Sequence, residues 1–94
     1  MPIPGKVKCV DFTTDEIRRV HTIISGNVRR LRKEKGISQE TLAELVGVSK
    51  PYIYRCENMV YQYIGTKYTH FSTSLLYKIC VVLGCKMEDF FVSL

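Results

Sequence analysis

The feature that most limits how this chain can fold is a pair of short helical patterns joined by a tight turn that contains one glycine. Ser38 predicts the N-cap of a first helix over 39–46, and Gly47 predicts its end. Ser49 predicts the N-cap of a second helix. Pro51 in the first turn of that helix costs little, because the amide hydrogen that proline lacks has no helical partner there.

The residues inside this pair predict how the two helices pack. Ala43 is small enough to let the helices approach closely, and Val48 and Ile53 fill the angle between them. The second helix then projects from the body of the domain. Its outer face fits a DNA major groove, which is about 12 Å wide.

Further helical patterns flank this pair. A capping box is predicted over Thr13–Glu16, and apolar residues then recur at helical spacing from Ile17 to Leu31. The pattern fits either one long helix or two helices joined near Ser25–Asn27, where Gly26 weakens a helix by about 1 kcal/mol.

The C-terminal part of the chain predicts two more helices. Ser72 is a good N-cap for a helix with several inward apolar positions, and Gly84 ends it. A last short helix near 87–92 would bury Phe90 or Phe91. The expected fold is all-α, with five or six helices.

The segment from Val60 to Phe71 has a different composition. Tyrosine and β-branched residues surround Gly65-Thr66, which favours a small β-hairpin. A loop or an extension of the preceding helix is the alternative. The predicted organisation is an N-terminal arm at 1–13 and one domain at 14–94, with the two-helix motif at 38–57 and an insertion at 58–71.

The chain carries a net charge of +5, and its basic residues are unevenly distributed. Seven of the fourteen lie between positions 18 and 35, namely Arg18, Arg19, Arg29, Arg30, Arg32, Lys33 and Lys35. Positive charge concentrated along a helix is typical of nucleic-acid-binding proteins. We expect most of these charges to form a solvated face, with one or two touching phosphate.

The sequence also argues against several other classes of protein. It has no run of about 18 apolar residues and no signal-peptide core, so we expect a cytoplasmic protein without a membrane partner. Its four cysteines form no C-x-x-C pair and are not spaced with the two histidines as zinc ligands. Reduced core thiols are therefore expected, with no metal and no cofactor. The sequence shows neither a carboxylate pair placed for catalysis nor a phosphate-binding glycine loop, so no enzyme activity is expected.

The stretch Gly36–Glu57 resembles the helix-turn-helix of the Cro and phage-repressor (XRE-type) family. The similarity continues through Val28–Arg32 before this stretch and through Leu76–Gly84 and Met87–Phe91 after it. It covers 24–92 apart from the insertion, which makes the loop about eight residues longer than is usual in the family. The resemblance implies a domain that binds double-stranded DNA with the second motif helix in the major groove.

The resemblance also implies roles for individual residues. Arg32 and Glu57 occupy the positions of an arginine and a glutamate that pair across the family's first and third helices, which is a structural role. Gln39, at the start of the first motif helix, stands where the family bonds a phosphate with help from the helix N-terminus.

The residues at and after the N-cap of the second motif helix are the expected DNA contacts. The set is Ser49, Lys50, Pro51, Tyr52, Tyr54 and Arg55, of which Lys50, Pro51, Tyr52 and Arg55 take the exposed recognition positions. Lys50 and Arg55 are donors that can reach guanine O6 and N7, Arg55 in bidentate fashion. Tyr52 would contact a thymine methyl or a phosphate, and Tyr54 would lie near the sugar-phosphate backbone. Pro51 either touches a base or only fixes the start of the helix.

Two functions remain open on the sequence. The first is a sequence-specific regulator of transcription, expected to be a repressor that binds as a homodimer to two half-sites roughly 34 Å apart. The alternative is a protein-interaction module of antitoxin or anti-repressor type. Its tyrosine-rich insertion at 58–71 would bind a protein partner, since exposed tyrosine is typical of interfaces.

Overall fold

The computed structural model describes residues 13–60 and 68–93. Within them lie four α-helices: α1 (Thr14–Glu34), α2 (Gln39–Val46), α3 (Lys50–Asn58) and α4 (Thr73–Leu83). A 3-10 helix, Met87–Phe91, follows α4. The predicted all-α class is confirmed.

The predicted count of five or six helices is too high. The long amphipathic pattern forms one helix, and the last short helix is of the 3-10 type, so the described residues hold four α-helices. They hold no strand pair that would support the predicted β-hairpin, and its centre, 61–67, lies outside them. The predicted N-terminal arm lies outside them too, except for Thr13.

The start of α1 is fixed by local hydrogen bonds. The Thr13 hydroxyl accepts from the backbone N–H of Glu16 at 3.1 Å, and the Glu16 carboxylate accepts from the backbone N–H of Thr13 at 2.8 Å. These two bonds satisfy two amides that the helix itself leaves without partners. The predicted capping box is confirmed.

The polar centre of α1 packs against distant parts of the chain. Ser25 Oγ donates to the backbone carbonyl of Cys56 at 3.1 Å. Asn27, which is fully buried, donates from Nδ2 to the carbonyls of Phe90 and Val92 at 2.9 and 2.8 Å. Tertiary hydrogen bonds therefore offset the weak helix propensity of this segment, and α1 continues through it.

We expect Asn27→Ala to lower the free energy of unfolding by roughly 1–2 kcal/mol, because it leaves the Phe90 and Val92 carbonyls unpaired and also removes the bond that Asn27 Oδ1 accepts from Arg30. Chemical denaturation would measure the loss. Asn58→Ala is the matched control, because the Asn58 side chain is exposed, and water can replace its two partners, the Tyr54 carbonyl and the Arg29 guanidinium. A loss at Asn27 no larger than the loss at Asn58 would contradict this role.

The core lies where the four α-helices and the 3-10 helix meet. Its fully buried side chains include Val28 of α1, Leu42 of α2, Ile53 of α3, Ile79 of α4 and Phe90 of the 3-10 helix. Phe91 is exposed, which decides between the two candidates for the last buried aromatic. Ile17 and Val20, at the beginning of the apolar pattern of α1, are about half exposed, so the core begins at Ile24.

The turn between α2 and α3 sets the angle of the second motif helix. Gly47 has a φ of 80°, a left-handed conformation that glycine adopts without steric cost. The backbone N–H groups of Gly47 and Val48 both donate to the carbonyl of Ala43, at 2.9 and 3.0 Å. Ala43 and Ile53 are buried on either side of this turn, which holds α2 and α3 in close contact.

None of the helices in the described part of the chain is both long enough and apolar enough to cross a membrane. In the same residues, no group of three or more histidine, cysteine, aspartate or glutamate side chains is placed to hold a metal ion. Cys56 and Cys80 are buried, Cys85 is partly buried, and all three are free thiols.

Candidate nucleic-acid interface

Helix α3 has one exposed and one buried face. Ser49, Lys50, Pro51, Tyr54 and Arg55 are exposed at its N-terminus and along its outer side. The Ser49 hydroxyl caps the helix by accepting from the backbone N–H of Tyr52 at 3.3 Å. On the inner side, Ile53, Cys56 and Glu57 are buried. The helix thus presents two cations and one phenol to solvent.

Tyr52 differs from the exposed position expected for it. Its ring is partly buried against the core, which includes Cys56 one turn further along α3. Burial raises the pKa of Tyr52, and the neighbouring Cys56 raises it further. Burial also raises the pKa of the Cys56 thiol, to about 11. The spacing of four residues directs Tyr52 towards Cys56, so that only part of its ring remains accessible.

A buried carboxylate holds α3 to the helices around it. Glu57 accepts from Arg32 Nε at 2.7 Å and from Arg32 Nη2 at 2.9 Å, which is a bidentate ion pair. The remaining Arg32 nitrogen donates to the carbonyl of Ile37 at 2.9 Å. The structure therefore brings Arg32 of α1 and Glu57 of α3 together, and both side chains are buried.

Gln39 belongs to the same network. Its Nε2 donates to Glu57 Oε1 at 3.1 Å, and its side chain is half-buried at the first position of α2. An amide nitrogen carries two hydrogens, so this bond engages only one of them. The structure thus positions Gln39 through Glu57, at a helix N-terminus suited to an anion.

Arg29 was expected on a solvated face, but the structure gives it partners on α3. Its Nη2 donates to the carbonyl of Glu57 at 3.2 Å and to Asn58 Oδ1 at 2.9 Å, so it holds the C-terminal end of α3 against α1. Its Nε lies 3.6 Å from Glu57 Oε1. Arg29 and Arg32 are three residues apart and share one face of α1, a spacing that could have indicated a common partner.

A cleft between α3 and α4 borders the exposed face of α3. Arg55 and Lys78 supply positive charge to its lining, and the hydroxyls of Ser49, Ser72 and Ser74 add donors. Guanidinium, ammonium and hydroxyl groups are the donors that bind phosphate oxygens on DNA. The exposed face of α3 and this cleft together form a continuous surface suited to the edge of a groove and its phosphates.

The end of the insertion packs on the first half of α1. The backbone N–H of Thr69 donates to the carbonyl of Val60 at 2.8 Å. The rings of His21 and His70 lie 4.1 Å apart, and the Tyr68 ring meets His21 edge-on at 5.5 Å. Tyr68 and His70 therefore contact this chain itself, while the rest of the tyrosine-rich segment, 61–67, lies outside the described residues.

The histidine contact predicts a loss of stability in acid. Burial lowers the pKa of His21 from its ordinary value of 6.5, and the neighbouring His70 lowers it further. The free energy of unfolding is then at its full value above pH 6.5 and falls as the pH drops towards the lowered pKa of the folded state. We expect His21→Gln to lose less stability than the unmodified chain between about pH 7.5 and 5.5, measured by chemical denaturation. Equal losses would contradict the role of His21.

Fold and exposed surface together define the class of protein: one built around an XRE-type helix-turn-helix. The chain belongs to the helix-turn-helix family, whose model matches residues 28–90, a span that includes α2, α3 and α4. The resemblance seen in the sequence is thereby confirmed.

A solved structure is similar over nearly the whole chain. It is the hypothetical transcription factor NHTF from Neisseria, with a TM-score of 0.65 and 23% sequence identity. The similarity covers 93% of this chain and 90% of that one, and at this identity it shows the fold alone. No curated protein matches the chain.

Proposed function

We propose that this chain is a sequence-specific regulator that represses transcription by binding double-stranded DNA as a homodimer, with α3 in the major groove. The observation that carries the proposal is the contrast between the two faces of α3. Lys50 and Arg55 are exposed on its outer side, while Glu57 on its inner side is bonded to α1 and α2. Donors on a rigidly held helix can read base edges, because their positions relative to the groove are fixed.

The expected DNA contacts, on α3 and at the start of α2, have different roles in this proposal. Arg55 and Lys50 read guanine O6 and N7, and each such contact discriminates between bases by about 1–3 kcal/mol. Ser49, Tyr54 and Gln39 bond the sugar-phosphate backbone and set the register of the protein on DNA. Tyr52 offers the accessible part of its ring to a thymine methyl, and Pro51 fixes the start of α3.

The length of α3 supports a dimer. A helix of nine residues reaches only a few base pairs, and a second copy doubles the sequence that is read. A two-fold dimer requires half-sites about one helical turn apart, roughly 34 Å. Repression is the simpler mode of action, because a protein bound at a promoter blocks other proteins without further contacts. We also propose a cytoplasmic location, where such a protein meets its DNA.

Selection from a pool of random-sequence duplexes tests the proposal. The chain should retain a palindromic motif whose half-sites are centred about 10–10.5 base pairs apart. The retained affinity should fall with salt, because phosphate contacts release counterions. Recovery of no motif at any salt concentration would reject the proposal. A motif with a single half-site would reject the homodimer, but the proposal that α3 reads the DNA sequence would stand.

A further inference from the structure

A second exposed face lies between the C-terminal half of α2 and the outer side of α4. We call it the α2–α4 apolar face and define it by Leu45, Tyr77 and Val81, which are 56, 62 and 63% exposed. These side chains line a groove whose rims carry Glu44 on α2 and Lys78 on α4. The groove thus combines three large apolar groups with one acidic and one basic side chain.

The α2–α4 apolar face borders the DNA-binding surface without being part of it. Tyr77 and Val81 are one helical turn apart on α4 and share one side of that helix. Ser74, Leu75 and Lys78 of α4 line the cleft beside α3, so α4 separates the two surfaces. Lys78 lines both. A molecule on the apolar face would therefore contact α2 and α4 and leave the exposed face of α3 accessible.

The charges of Glu44 and Lys78 indicate which kind of partner fits the groove. In a two-fold dimer each residue of the interface meets the same patch of the partner, so contacts occur in reciprocal pairs. A two-fold axis through Tyr77 and Val81 would bring Glu44 of each copy towards Lys78 of the other. Within residues 13–60 and 68–93, neither Glu44 nor Lys78 takes part in an ion pair. The charges on this face of one copy therefore complement the charges on the same face of a second copy.

We propose that the α2–α4 apolar face is the surface on which a second copy of this chain docks. The inference rests on the proposed homodimer and assigns its interface. Tyr77, Val81 and Leu45 form the apolar centre of the contact, with reciprocal Glu44–Lys78 pairs at its rim, an arrangement usual for protein interfaces.

Replacing one apolar side chain tests the centre of the interface. We expect Val81→Glu to weaken self-association by at least about tenfold, measured by sedimentation without DNA, because it buries a charge in an apolar contact. Val92→Glu is the matched control. Val92 is 49% exposed and lies outside the groove, so self-association should be unchanged. Equal association of Val81→Glu and the unmodified chain would overturn the proposal.

Exchanging the charges of Glu44 and Lys78 tests whether these two side chains pair between copies. The exchange also tests the interface if Val81→Glu fails to fold. Glu44→Lys and Lys78→Glu should each associate more weakly alone, because like charges then face each other. An equimolar mixture of the two variants should associate as heterodimers, since every pair across the axis is again of opposite charge. A mixture no tighter than either variant alone would overturn the proposed pairing.

The outcomes separate this inference from the proposed function. A DNA motif found together with a chain that is monomeric both free and bound would overturn the interface and leave the reading of DNA intact. A dimer disrupted by Val81→Glu, from a chain that selects no DNA motif, would support the interface and reject the proposed function. Association is measured without DNA because Lys78 also lines the cleft beside α3.

Discussion

Glu57→Ala is expected to lower the free energy of unfolding by about 3–5 kcal/mol, the usual effect of removing one partner of a buried ion pair. The substitution leaves Arg32 buried without its carboxylate and removes the acceptor for Gln39. A domain of this size is stable by roughly 5–15 kcal/mol, so a large part of its stability depends on this carboxylate. Urea denaturation followed by circular dichroism measures the change.

Glu34→Ala is the matched control for this prediction. Glu34 also pairs with an arginine, Arg30, at 3.0 Å, but its side chain is 57% exposed. An exposed pair four residues apart on a helix contributes only about 0.3–0.5 kcal/mol. Losses of similar size at Glu57 and Glu34 would show that the Glu57 network does not hold α3 in place.

Arg55→Ala is expected to weaken binding to the selected duplex by about 1–3 kcal/mol and to relax the preference at one base pair of each half-site. Arg55 is exposed on α3 and lines the cleft beside α4. Its removal should cost a base contact and leave the fold unchanged. Titration of the variant against the selected duplex, and against the three substitutes at each base pair of the half-site, measures both effects.

Lys33→Ala is the control for charge alone, because Lys33 is exposed in the last turn of α1 and does not line the cleft beside α3. It should change the affinity for all duplexes by the same small factor, since loss of a phosphate contact carries no sequence information. A uniform loss for Arg55→Ala, with its preference at every position retained, would show that Arg55 contacts phosphate and reads no base.

The helix boundaries of the motif were predictable because their signals are local. Ser38, Ser49 and Ser72 cap the helices that follow them, each by accepting a backbone N–H three residues on. Gly47 and Gly84 end helices in the left-handed conformation. Each of these features depends on a few neighbouring residues, and the sequence shows all of them at once.

The features that were missed depend on contacts between distant parts of the chain. Asn27 looks like a weak point in α1 until the carbonyls of Phe90 and Val92, more than sixty residues away, are seen to accept from it. Leu45 is as apolar as Leu42 and Val46, yet Leu42 and Val46 face the core and Leu45 does not. In an eight-residue helix with apolar residues on several sides, only tertiary packing decides which side is buried.

The candidate site was predictable only where the position of a residue depends on local helical spacing. The outward position of Lys50, Tyr54 and Arg55 follows from helical spacing once the start of α3 is known. The half-buried position of Tyr52 and the bond from Gln39 to Glu57 depend on how α3 packs against its neighbours. Arg29 lies in a run of basic residues, where sequence alone does not separate a structural arginine from solvated ones.

If the exposed face of α3 reads a DNA sequence, the unmodified chain must prefer its selected duplex to a shuffled duplex of equal length and composition. The affinities for both duplexes are measured near 150 mM salt. We expect a preference of at least about 10³-fold for the selected duplex, as is typical of specific DNA-binding proteins. Equal affinity for the two duplexes, lost together as salt rises, would contradict it.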